Sequence, residues 1–358
     1  MTTLRTFFSL VKLCTCCSGI FILSGCYYLQ QGSKLLHYQC SAELNKNIIA
    51  DSSTPQDIRK FLITVEDIRR YAVEKVGLKK NTNFSCFVKT DRDYLIDNVY
   101  AASADTFVQY FWHYPFIGAM PYKGFFNRDD AETEAGKLRK KGYDVFVGAI
   151  NGFSTLGVLR DPVYSFMTNY GPYSLSNLLF HELTHATVFV KNQSQFNEES
   201  ATFVGTEAGL RYVADRYGTG SEAHEKAQLL IEDTRTYQRL MADLYRQLDS
   251  VYRSEKSRQI RIASKNRIIN DFKLNIAKNY CSLFKTKSYN NIIYATINNA
   301  TILISMTYTR DLDDYYTLLK RYGGDLKKTV AALCELQKME GDPKINLRAM
   351  IMSPLLDK

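Results

Sequence analysis

Two strings of residues, His181-Glu182-Leu183-Thr184-His185 and Asn197-Glu198-Glu199-Ser200-Ala201, constrain this chain more than any other feature. On a helix, His181 and His185 stand one turn apart on one face, where both imidazoles can hold the same cation with Glu182 beside them. Catalytic zinc takes three protein ligands and leaves a fourth position to water, so a third ligand must come from elsewhere and a base must stand near that water. Glu198 is the best candidate for the ligand and Glu182 for the base, with Glu207 as the competing ligand. The opposing account makes His181 and His185 core residues satisfied by hydrogen bonds. A purely structural zinc is a weaker alternative, because it has no need of Glu182.

The helices themselves are expected before any chemistry is invoked. Gly171-Pro172 breaks the chain, Ser174 can cap the first turn, and Leu175, Leu178, Leu179, Leu183, Ala186 and Val190 recur at helical spacing. A helix is therefore expected from about Ser174 to about Lys191. The stretch from Lys191 to Gln195 reads as a polar turn, Asn197 as a cap, and Glu198 as the opening of a second helix carrying Ala201, Phe203 and Val204. A short turn makes such helices antiparallel neighbours, which can return the start of the second to the histidines.

The rest of the chain reads as a small sheet followed by helices. Thr54-Pro55 opens an amphipathic helix from Ile58 through Val76 that stops at Gly77. Residues 94–96 and 99–101 read as one strand, Phe107 to Trp112 as a second, and Val145 to Ile150 as a third, after a charged helix from about Asp129 to Lys141. From Ser221 to beyond Ile262 the pattern is helical and charge-rich, and two further helices are expected between Asn290 and Lys338. The fold class is thus α+β and predominantly helical. Residues 51–215 form the expected catalytic core, and 216–358 a helical region completing the same domain; no repeat or long linker interrupts them.

The N-terminus reads as an export signal. Arg5 and Lys12 flank an apolar stretch that runs to Leu23, and Leu23-Ser24-Gly25-Cys26 is lipobox-like. Residues 1–25 are expected to be removed and Cys26 to carry lipid at the head of an anchored segment, 26–50. The alternative, an uncleaved membrane anchor, suits the stretch less well because it is short and rich in Cys, Ser and Thr. Tyr27 is not the Asp that retains lipoproteins at the inner membrane, so in a Gram-negative envelope the outer membrane, facing the periplasm, is expected.

Composition adds exclusions. With 45% hydrophobic residues the chain can bury a sizeable core. The net charge of +9 drops by two when Arg5 and Lys12 leave, and the remaining basic residues are interleaved with acids. That pattern suits an anionic lipid or wall surface, or simple solvation, and argues against a nucleic-acid partner. Four cysteines, Cys40, Cys86, Cys281 and Cys334, remain after processing, and both disulfides and buried free thiols are open to them. His224 reads as a solvent-facing residue on a charged helix, and His113 as a packed residue of an aromatic strand.

Beyond these strings, Leu178-Leu-Phe-His-Glu-Leu-Thr-His185 with Phe196-Asn-Glu-Glu-Ser-Ala-Thr-Phe-Val-Gly205 resembles the bacterial putative aminopeptidase family, lipoprotein-like proteins with a gluzincin-like zinc motif. Pro115-Phe-Ile-Gly-Ala-Met-Pro-Tyr-Lys-Gly-Phe-Phe126, Tyr143-Asp-Val-Phe-Val-Gly148, Ser154-Thr-Leu-Gly157 with Asp161-Pro162, Asn298-Asn299-Ala300 and Gly323-Gly-Asp-Leu326 resemble further family blocks. The resemblance implies a zincin-like fold, a Zn2+ site of His181, His185 and Glu198, a peptide or protein substrate, and an edge strand that holds extended peptide above the metal. It also implies an oxyanion donor downstream of the third ligand, for which Tyr308 is the candidate, although with 25 tyrosines in the chain a packing role for it is the simpler reading. Phe153 and Val158-Leu159 depart from the family pattern. Thr202 stands where some gluzincins place a carboxylate that orients a histidine. Gly118-Ala119-Met120 lacks the following Glu that binds a substrate amine, which leaves an endopeptidase open beside an aminopeptidase. A catalytically silent envelope lipoprotein that keeps the metal for binding or scaffolding is the other class of function.

Overall fold

The computed structural model describes residues 33–34, 36–114, 118–150, 160–308 and 312–353. The signal segment, Cys26, Phe153, the Ser154–Gly157 block and Val158-Leu159 lie outside the described residues. The chain divides into a unit ending at Glu43 and a unit from Leu44 onward. The first is helical at 33–34 and 36–40.

The second unit opens with helices α1 (Asn45–Ala50) and α2 (Gln56–Tyr71), the latter continuing as one wide π turn over Ala72–Val76. The expected apolar stripe of α2 is buried: Leu62, Val65 and Ile68 are fully enclosed, and Gly77 ends the run in the left-handed region. Short strands follow: β1 (Cys86–Val88), β2 (Ile96–Ser103), β3 (Trp112–Tyr114), β4 (Gly118–Met120) and β5 (Lys123–Phe125). Helix α3 (Arg128–Lys140) leads to β6 (Tyr143–Ile150) and β7 (Val163–Tyr164). Asn127 caps α3 by accepting from the amides of Asp129 and Asp130 at 2.7 and 3.4 Å.

The central sheet is antiparallel in the order β5-β2-β6, with Asn98 opposite both Gly124 and Gly148. β3 and β4 form a separate hairpin, and β1 runs parallel to β7. Phe107–Phe111 is not the expected strand; its backbone pairs with the sheet in a single isolated bridge between Ala102 and Gln109. The reason is visible at Phe107, whose ring stacks on Tyr245 at 4.3 Å and so leaves the strand plane for the helical core.

After the sheet come α4 (Pro172–His185), α5 (Ser194–Tyr217), α6 (Glu222–Ser254), α7 (Arg258–Leu283), α8 (Asn299–Tyr308), α9 (Asp313–Arg321), α10 (Leu326–Leu336) and α11 (Pro343–Met352). The α+β class with a helical C-terminal part is therefore as expected. The long charged stretch is helical as expected and divides into two helices, because Ser257 accepts from the amide of Ile260 and starts a new one. One detail differs. Among the described residues between Asn290 and Lys338 there are three α-helices and a 3-10 turn in place of two helices: Gly323 and Gly324 take left-handed φ and Asp325 caps α10.

Met241, Leu244, Leu248 and Tyr252 of α6, Ile269 of α7 and Ile302 of α8 form one helical core. A buried polar network joins it to the sheet. Lys265 Nζ donates to Asp144 Oδ2 and to the Ala104 carbonyl, both at 2.7 Å, while Asn299 donates to the Ser103 carbonyl at 2.9 Å and accepts from Tyr252. Asn298 adds a bond to the Val145 carbonyl at 3.0 Å. All four cysteines expected in the mature chain are free. No helix among the described residues is long and apolar enough to cross a membrane.

Candidate metal centre

The two motif-bearing helices meet as antiparallel neighbours, and glycine is what lets them. A Cβ on Gly205 would lie 2.9 Å from the Asn177 carbonyl and 3.1 Å from His181 Cβ; one on Gly209 would lie 3.2 Å from Asn177 N. These two glycines, one turn apart on α5, therefore let its backbone lie directly against α4.

Helix α4 ends at His185, six residues before the expected end. Thr184 and Thr187 turn their hydroxyls onto the carbonyls of Phe180 and Leu183, at 2.7 and 3.0 Å. Asn197 then clasps Val190, accepting from its amide at 2.7 Å and donating to its carbonyl at 2.8 Å. Asn197 thus lies inside α5, which starts at Ser194, and fixes the connecting loop in place of capping the helix.

This packing brings three side chains to one point. His181 Nε2 and His185 Nε2 are 3.2 Å apart, and Glu198 places Oε1 3.5 Å from His185 and Oε2 3.7 Å from His181. Ligand bonds of about 2.0–2.2 Å around a tetrahedral zinc require edges of about 3.3–3.6 Å, so the spacing fits that geometry. Among the described residues, this is the group of three or more His, Cys, Asp or Glu side chains able to hold a metal ion. Two imidazoles and a carboxylate form a donor set suited to zinc. His185 is buried, and burial lowers its pKa against the pull of Glu198, which keeps the ring neutral as a ligand must be. His181 and Glu198 retain 20% and 26% side-chain exposure, so the cluster has an open side.

Glu182 stands deep in the protein with part of its surface still exposed. Its pKa is pushed up to about 8, first by burial and then by the charges of Glu198 and Asp161. Asp161 is itself buried and accepts from Asn83 Nδ2 at 3.1 Å. Tyr122, between β4 and β5, has its phenol pKa raised by burial and then by the charge of Glu198. Gln109 holds this segment by donating to the Pro121 carbonyl at 3.0 Å, and the Tyr122 ring packs on Tyr100. Sequence reasoning did not single out Asp161, whose charge acts on Glu182, or Tyr122, on which the charge of Glu198 acts. Both lie in blocks that carry the family resemblance, the one signal that could have pointed to them.

The other candidates fall away from the cluster or outside the described residues. Glu207 is paired with Arg211 at 3.2 Å and is not part of the three-residue group. Tyr308 ends α8, and its side chain lies outside the described residues. His224 is buried, not solvent-facing: its Nδ1 accepts from the Gly220 amide at 3.3 Å in the turn that starts α6. His113 is on β3 as expected, but its side chain is exposed; among the described residues β3 pairs with β4 alone.

Searches against curated proteins and against solved structures return no match. A family model described as "Putative aminopeptidase" matches residues 26–346. With the match running over nearly the whole length, the chain belongs to this family.

Proposed function

We propose that the protein is a zinc-dependent peptidase whose metal is held by His181, His185 and Glu198 and whose base is Glu182. The observation that carries this reading is the convergence of two imidazoles and one carboxylate at tetrahedral spacing, with a second carboxylate beside them. Zinc bound there supplies Lewis-acid polarisation of a peptide carbonyl and a more acidic water. The Glu182 carboxylate takes the proton of the attacking water and passes it to the departing amine. Its high pKa in the metal-free site suits the second half of that cycle, and a cation alongside favours the ionised form needed for the first. Tyr122, whose phenol is kept protonated by burial and by the charge of Glu198, is the candidate donor to the developing oxyanion. Membership in the family supports a peptide substrate.

Glu182→Gln is expected to retain zinc at wild-type stoichiometry and to lower peptide cleavage by about 10²–10⁴-fold. A purified protein that binds zinc but cleaves nothing, and is matched in every assay by Glu182→Gln, would leave the silent-scaffold alternative standing. Cleavage of mixed peptides with free and blocked N-termini separates an aminopeptidase from an endopeptidase, since no amine-binding Glu follows Gly118-Ala119-Met120. The proposal includes an envelope location with lipid on Cys26, supported by the Leu23–Cys26 lipobox and by the family match that starts at Cys26. Cys26→Ser should release the protein from membranes, and retention in the membrane fraction would refute the anchor.

A further inference from the structure

Glu199, the residue after Glu198, is fully buried and bonds to partners that are not part of the His181, His185 and Glu198 group. Its Oε1 accepts from Gln195 Nε2 at 2.9 Å and Lys344 Nζ at 3.2 Å; its Oε2 lies 3.0 Å from Lys344 Nζ and accepts from the Tyr315 hydroxyl at 3.3 Å. Gln195 belongs to α5 itself, Tyr315 to α9, and Lys344 to the first turn of α11, 145 residues away in sequence. Tyr315 is wholly buried between Phe196 and Phe203.

Lys344 is held on a clamped helix. Asp342 caps α11 by accepting from the amides of Lys344 and Ile345 at 2.7 and 3.3 Å. At the far end Arg321 donates to the Ile351 carbonyl at 2.7 Å and Arg348 to Asp314 at 2.9 Å. Consecutive helical residues point about 100° apart, so fixing the direction of Glu199 fixes that of Glu198. A buried carboxylate that loses its cation is left uncompensated, so the helix must turn or let water in to relieve it.

We infer that Glu199 and Lys344 are a positioning pair through which the C-terminal helix 343–352 holds Glu198 at the rotation that metal binding needs. The inference rests on the metal centre proposed above. Neither residue touches the ion; both act through Glu198.

The test is zinc affinity of the full-length protein, measured by competition with a chromophoric chelator, with melting of the zinc-free protein alongside. Lys344→Met is expected to weaken zinc binding by about tenfold or more, the scale at which residues behind metal ligands act, and Lys344→Arg to restore most of it. On a Glu198→Ala background, where His181 and His185 alone retain residual affinity, Lys344→Met should cost nothing further. A general structural defect would cost the same on both backgrounds and would overturn the inference, as would wild-type affinity in Lys344→Met. Should Lys344→Met fail to fold, Tyr315→Phe removes one donor and keeps the ring; weaker zinc binding supports the pair and unchanged binding overturns it. A wild-type protein that takes up no zinc overturns the metal centre itself, an outcome distinct from zinc binding that ignores Lys344.

Discussion

At the scale of single residues, Glu182 shows how burial sets chemistry. A carboxyl whose pKa rises from 4.5 to about 8 on folding binds more protons in the folded state across that window, so its contribution to stability is present below pH 4.5 and is lost as pH rises towards 8. In zinc-free protein, Glu182→Gln should remove this loss, and the stability advantage of the variant should grow by up to about 1.4 kcal/mol per pH unit between pH 5 and 8. Urea midpoints measured in chelator check it, and parallel pH curves for the two proteins would refute it. Burial likewise lowers the pKa of His185, the direction that a metal ligand needs. His181, Glu182, His185 and Glu198 were legible in sequence because local spacing along a helix puts them on known faces. The electrostatic coupling of Asp161 to Glu182 and of Tyr122 to Glu198 was not, because these residues come from separate segments whose approach no local pattern encodes.

Among the elements, the contact of α4 with α5 decides whether the motif becomes a site. Gly205→Ala would push a Cβ to 2.9 Å from the Asn177 carbonyl, next to His181. The expected cost is about 1–3 kcal/mol by denaturant unfolding, with weaker zinc uptake as His181 and Glu198 move apart. Gly136 on α3 supplies the control: a Cβ there meets nothing within 4 Å, so Gly136→Ala should be neutral or stabilising by up to about 1 kcal/mol. Equal effects of the two substitutions would remove the close-approach argument. The existence of both motif helices was legible from apolar spacing. Their ends were not, because α4 stops where Thr184, Thr187 and the Asn197 clasp withdraw backbone groups from the helix.

Across the whole molecule, the sheet and the C-terminal helices are joined by polar groups that neither layer can satisfy alone. Lys265 and Asp144 come from α7 and β6, and Asn299 from α8 bonds to both the end of the central strand β2 and Tyr252. Lys265→Met leaves Asp144 without its cation and should destabilise the fold by about 3–5 kcal/mol. Trp112, the single tryptophan, reports the sheet region, and far-ultraviolet circular dichroism reports the helices. Both signals should shift together in urea; a helical transition that moves alone would mean that the layers unfold separately. The Asn298-Asn299-Ala300 block was recognised only as a likeness, and its part in joining these layers is visible only once they are packed.

The sequence by itself determined the elements that depend on near neighbours: the amphipathic helices, the order of sheet before helices, and the two faces carrying His181, His185 and Glu198. Periodicity carries that information because a helix repeats every 3.6 residues whatever surrounds it. Only the tertiary structure decided that Glu198 and not Glu207 faces the histidines, that Gly205 and Gly209 bring the helices into contact, and that Glu199 is tied to Lys344. Those outcomes depend on which surfaces meet, and burial, close packing and ion pairing between distant segments exist only after they have met.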